Sequence, residues 1–166
     1  ISTTGGHMDG RGALNDELVG RQPSPENLCD SPESCRRVVR RQIDRGADVI
    51  KFATTGGVNS GTGLATRMFA DEAKALVETA HAYGRKVAVH AHGADGIKLA
   101  LRSGADSIEH GTVMDDEIIR LFRQTGAFYV PTLSTVNGYL ERLAANPNAY
   151  APDVKKQIDW RIGITG

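Results

Sequence analysis

The chain has 166 residues, 40% of them hydrophobic, with 20 basic and 20 acidic side chains and a formal charge of zero. That length supports one domain with its own core. The balanced, interspersed charges give no basis for a nucleic-acid or membrane partner, and no apolar run approaches the ~20 residues that a membrane helix needs.

The opening "ISTTGGHMDG" lacks an initiator Met and a signal peptide, and the closing "RIGITG" stops in mid-pattern. Both read as cut ends, so residues 1–166 are expected to be the central part of one domain of a longer protein. Cys29 and Cys35 flank a Ser-Pro turn at a spacing that suits neither zinc nor redox chemistry; free thiols and one local disulfide both remain open. Four stretches then share one grammar of amphipathic helix, glycine and short apolar strand: "VVRRQIDRGADVIKFA", "ALVETAHAYGRKVAVHA", "GIKLALRSGADSIEHG" and "IIRLFRQTGAFYVPTL". Gly46, Gly84, Gly104 and Gly126 sit where left-handed C-cap residues belong. The first helix is expected to open on Asp30 and Glu33 at capping-box spacing, with Pro32 in its first turn. "TTGGVNSGTGLATRM", residues 54–68, lacks the Gly-Lys-Ser/Thr of a phosphate cradle and reads as a mobile active-site loop or an exposed linker. In the next helix Phe69, Ala73, Leu76, Val77 and Ala80 share one face, with Asp71, Lys74 and Glu78 opposite.

Helices alternating with apolar strands over short connections imply an α/β fold with a parallel sheet. A complete (β/α)8 TIM barrel needs about 250 residues, so this chain would supply a central partial barrel, roughly strands three to seven. An open doubly wound sheet is the alternative, weakened by the lack of a Gly-x-Gly-x-x-Gly after a first strand.

Counted from the capping glycines, Lys51, His90 and His110 fall at similar depth near the carboxyl ends of successive strands, the functional face of βα barrels. Neutral imidazole is a good ligand for zinc and similar metals. Lys51 cannot coordinate a cation as an ammonium and is costly to bury unpaired. With a depressed pKa it could form a Schiff base, and "GADVIKFATTGG" resembles the lysine segment of class I aldolases. Alternatively it could take up CO2 and become a carbamate that bridges two metals. The carbamate uses all three residues; the Schiff base leaves the histidines unexplained. A metal-free, non-catalytic fragment is the non-enzyme alternative. Glu109 alternates away from His110 and reads as structural, pairing with a neighbouring helix.

Together, "GADVIKFATTGGVNSGTG", "KVAVHAHGADGIKLALRSGADSIEHGT" and "FYVPTLST" resemble the amidohydrolase superfamily, in its imidazolonepropionase-like branch that contains the Xaa-Pro dipeptidases (prolidases). The resemblance implies that Lys51 is the carboxylated lysine, with a catalytic role, and that Lys51, His90 and His110 are metal ligands. His92, at the rim beside His90, would contact substrate. His7, in "TTGGHMDG", would hold a substrate carboxylate, although Met8 stands where the family usually has glycine. The implied cofactors are divalent metal, zinc in a binuclear site, and CO2 as the lysine carbamate. The implied reaction is amide or peptide hydrolysis of a dipeptide or N-acyl amino acid by a metal-bridging hydroxide. The expected partners are that small-molecule substrate and further copies of the chain in a homo-oligomer; the compartment stays open, with the cytoplasm slightly favoured. The family's first-strand His-x-His and eighth-strand aspartate are not in this chain, so the isolated segment is expected to be inactive.

Overall fold

Gly46, Gly84, Gly104 and Gly126 take φ values of 94°, 67°, 92° and 70°, and each turns the chain out of a helix into the strand that follows. The computed structural model describes residues 1–9, 25–58 and 63–165. Its elements run α1 (Pro32–Asp44), β1 (Val49–Ala53), α2 (Ala70–Ala82), β2 (Lys86–Ala91), α3 (Ala94–Arg102), β3 (Ser107–His110), α4 (Asp116–Thr125), β4 (Phe128–Val130), α5 (Ser134–Ala145) and α6 (Pro152–Thr165). The four strands are parallel and ordered β1-β2-β3-β4. Successive helices α1 to α4 pack against their neighbours. Strand order that follows sequence order, under one helical layer, is an arc of a βα barrel. A doubly wound sheet would reverse its strand order at a switch point.

The register explains which side chains reach the core. Ile50, Phe52, Val87, Val89 and Ile108 share one parity across the ladder and are at most 1% exposed. They pack against Val39, Leu76, Val77, Ile97, Leu101 and Ile118 of the helices. The opposite parity (Lys51, Ala53, Ala88, His90, Ser107, Glu109) faces the concave side. A smaller cluster of Val58, Tyr139 and Ile158 ties α5 and α6 to the loop after β1.

Several local expectations change. Helix α1 is capped by Ser31, whose hydroxyl accepts from the Ser34 amide; the Asp30 carboxylate instead accepts from the Thr4 amide and hydroxyl at 2.8 and 2.7 Å. Phe69 is the N-cap of α2 and is 77% exposed, while Ala73, Leu76, Val77 and Ala80 are buried. At the expected third strand the structure describes the bridge Ser2–Leu28 and the Ile1 N to Lys51 O hydrogen bond, after which the chain turns through Gly5 (φ 70°) and the Gly6 N to Thr3 O bond. Cys29 and Cys35 form a disulfide. The loop after β1 is no exposed linker at its start: Thr54 to Val58 are buried, and residues 59–62 lie outside the described set. Among the described residues no helix is long and apolar enough to cross a membrane.

Candidate metal centre

Four imidazoles meet at the carboxyl end of the sheet. His90, the fifth residue of β2, faces the concave side, and His92 follows two residues later just beyond the strand. The His90 and His92 ring centroids are 4.8 Å apart, and His7 stacks on His90 at 4.0 Å. Gly57 permits that stacking, since a Cβ there would lie 2.3 Å from the His7 ring. His110 requires a backbone distortion. By alternation it would point to the helical side, because Glu109 pairs with His90. A φ of 74° at His110 turns its ring to 4.7 Å from His90 and 4.9 Å from His92. The next residue, Gly111, also has positive φ, and a Cβ there would meet the Tyr129 ring at 2.5 Å. Among the described residues the only non-glycine positive φ values are at His110 and Thr132, and these two are hydrogen-bonded to each other. Such strain gathers where side-chain placement matters more than local comfort.

Hydrogen bonds fix which nitrogens carry lone pairs. His90 Nε2 lies 3.0 Å from the Gly56 carbonyl. A carbonyl only accepts, so Nε2 bears the proton and Nδ1 is the free donor atom. The Thr132 hydroxyl donates to the Pro131 carbonyl at 2.7 Å, so it accepts from His110 Nδ1 at 2.8 Å and leaves Nε2 free. Outer partners of this kind orient imidazoles for metals. Ligand atoms of His90, His92 and His110 all lie within 4.8 Å of one another. Burial, then the neighbouring His7 and His92, pushes the His90 pKa down to about 2. Burial, then His110, Arg161 and His7, takes His92 to about 3. Burial, then Lys51 and Arg161, takes His110 to about 4. At neutral pH these rings are therefore uncharged and suited to coordinate a cation.

Lys51 is not level with the histidines. It pairs with Ala88, two residues before His90: one residue because Lys51 lies five and His90 six after the capping glycine, the other because β1 starts three residues after its glycine and β2 only two. Its side chain meets solvent on the concave face, yet surrounding protein lowers its pKa while the Glu109 carboxylate opposes that shift. Glu109 thus faces the concave side with Lys51, where it accepts from the Ser107 hydroxyl at 2.7 Å, rather than pairing with a helix. His7 is also shifted below its ordinary range by burial and by Lys51.

The histidines, Thr132, Thr135, Tyr139 and Arg161 line a cavity of about 210 Å³. Arg161 escaped the sequence reading. It is 3% exposed and donates to the Thr112 hydroxyl and to the Pro131 carbonyl. The available signal was an arginine on an apolar stripe, since Val154, Ile158, Arg161 and Ile162 recur at helical spacing.

Comparison with known proteins identifies the family. Residues 10–157 match the model of the amidohydrolase family. Ochratoxinase from Aspergillus niger is 34% identical over 153 residues, covering 84% of this chain and 32% of that protein. A crystal structure of a Xaa-Pro dipeptidase with methionine bound in its active site superposes with a TM-score of 0.85 at 38% identity, covering 99% of this chain and 42% of that one. A prolidase complexed with N-methylphosphonate-L-proline gives a TM-score of 0.81 at 31% identity, covering 98% and 41%. The chain therefore spans well under half the length of these relatives.

Proposed function

This chain belongs to the amidohydrolase family, and from that premise we propose that it is the central, metal-holding part of a hydrolase that cleaves amide or peptide bonds. The observation that carries the proposal is the pair of tautomer-fixed, neutral imidazoles, whose His90 Nδ1 and His110 Nε2 are left free to bind a cation. Two imidazoles suit zinc, and Lys51 as a carbamate would add an anionic oxygen and allow a second metal. Divalent metal bound there supplies Lewis acidity and activates water. Carbamate formation needs a neutral amine, and the lowered Lys51 pKa favours one. Glu109 favours the ammonium, so carboxylation is expected to depend on metal. His7 and His92 hold the substrate. Their lowered pKa values make them neutral N–H donors to a carboxylate, not the cationic pair that a carboxylate clamp first suggests.

The names of the related Xaa-Pro dipeptidase and prolidase support a dipeptide or N-acyl amino acid as substrate. A Schiff-base aldolase would exploit the same lowered Lys51 pKa but would leave the histidine cluster idle. The test compares Xaa-Pro dipeptides and N-acyl amino acids with their carboxamides on the zinc-loaded full-length protein. The free acids are expected to turn over, with kcat/KM at least about tenfold above the carboxamides, one hydrogen bond to a charged group being worth ~1.5–3 kcal/mol. Equal turnover would remove the carboxylate clamp, and imine trapping by borohydride would replace hydrolysis with the aldolase reading.

A further inference from the structure

We infer that Arg161 is a positioning residue that, through Thr112, fixes His92 as an N–H donor rather than a third metal ligand. The inference rests on the metal-centre reading above and deepens it by separating His92 from two neighbours that otherwise resemble it. His92 and His110 are stacked 4.9 Å apart with planes 11° from parallel, and each places Nδ1 on a threonine hydroxyl. The two hydroxyls are used in opposite senses. Thr132 sends its proton to the Pro131 carbonyl, so it can only accept from His110. Thr112 accepts from the Arg161 guanidinium, which occupies one lone pair and turns the hydroxyl proton away from the cation. The acceptor on the other side is His92 Nδ1, 2.7 Å away. Among the described residues the Thr112 hydroxyl meets no acceptor other than His92 Nδ1, so its one proton goes there rather than toward the guanidinium, and the His92 proton resides on Nε2. That Nε2–H faces the cavity that His90 and His110 also line. It has a proton to offer a substrate oxygen and no lone pair for a metal.

Arg161 is equipped for the task by its setting. It projects from α6 beside the buried Ile158 and bridges the loop after β3 to the end of β4. Removing its charge leaves the Thr112 hydroxyl free to rotate and lifts the cost of a proton on Nδ1 beside a cation, so the hydroxyl can then accept from His92 Nδ1–H. His92 Nε2 would gain a lone pair, and the site would gain a third imidazole ligand.

The test is long-range proton–nitrogen NMR of the histidine rings in metal-free, nitrogen-15-labelled protein, followed by zinc titration. Wild type is expected to show His92 protonated at Nε2 and His110 at Nδ1. Arg161→Met and Thr112→Val are each expected to move His92 to Nδ1–H or to a mixture, with the His110 tautomer unchanged as evidence of an intact fold. Arg161→Lys, which keeps a cationic donor, should restore the wild-type tautomer. Zinc affinity of Arg161→Met should rise by about tenfold, on the scale known for outer-sphere changes. His92 protonated at Nδ1 in wild type, or an Nε2–H tautomer that survives both substitutions, would overturn the relay. If wild type binds no zinc but shows the expected tautomers, the relay stands and the metal-centre reading fails.

Discussion

The β1–β3 sector and the β4–α6 sector contribute to one site by different means. In the first, Phe52, Val89 and Ile108 are fully buried beneath α1 to α4, and this stiff wall carries His90, His92 and His110. In the second, Phe128, Tyr129 and Val130 are 75%, 45% and 37% exposed, and the small Val58–Tyr139–Ile158 cluster, with the Arg161 hydrogen bonds to Thr112 and Pro131, holds α5 and α6. Yet Thr132 and Arg161, which orient the histidines, come from this weaker part. Within these 166 residues the histidines are thus held by the larger core and oriented by residues beside the smaller cluster.

The largest expected effect tests the strong sector. Phe52→Ala should cost about 3–5 kcal/mol, read from denaturant unfolding, because it empties the centre of the core. Ile158→Ala should cost about 2 kcal/mol, the lower end for such a truncation, since its cluster is small. It should also speed amide exchange in α5 and α6 while leaving β2 protected. Equal costs and uniform exchange would erase the distinction between the sectors.

Acid should expose the strong sector next. His90, His92 and His110 have folded pKa values of about 2, 3 and 4, below the ordinary value near 6.5. Between those values the unfolded chain binds more protons, so stability falls as pH drops below about 6.5 and is unaffected above it. Each buried ring contributes up to about 1.4 kcal/mol per pH unit. A Tm series from pH 7 to 4.5 should show this slope, shallower in His92→Gln. A flat profile would mean that the rings are not held neutral. Smallest of all, Phe128→Ser should change the stability of this chain by no more than ~0.5 kcal/mol, because the ring is largely exposed.

Much of this was legible in the sequence, and the exceptions have physical causes. The capping glycines announced the βα repeats, and His90 and His110 stood out because imidazoles ending apolar strands need a reason. Depth counted from those glycines misplaced Lys51, since its count was already one short of that of His90 and the turn before β1 is one residue longer than that before β2. Strand periodicity alone would send His110 to the wrong face; only its positive φ, relieved by Gly111 against Tyr129, brings it inward. Ser31 displaced Asp30 as the cap because Thr4, distant in sequence, claims that carboxylate. Arg161 lies in a segment without motif, and its partners come from the loop after β3 and the end of β4.

The most direct test of the metal centre is equilibrium dialysis of the chelator-stripped protein against zinc, with His90→Ala, His110→Ala and His92→Ala measured beside wild type. Wild type and His92→Ala are expected to bind zinc with similar affinity, while each of the other two loses more than the roughly 10–100-fold typical of outer-sphere changes. Full binding by His90→Ala together with depletion in His92→Ala would contradict the account.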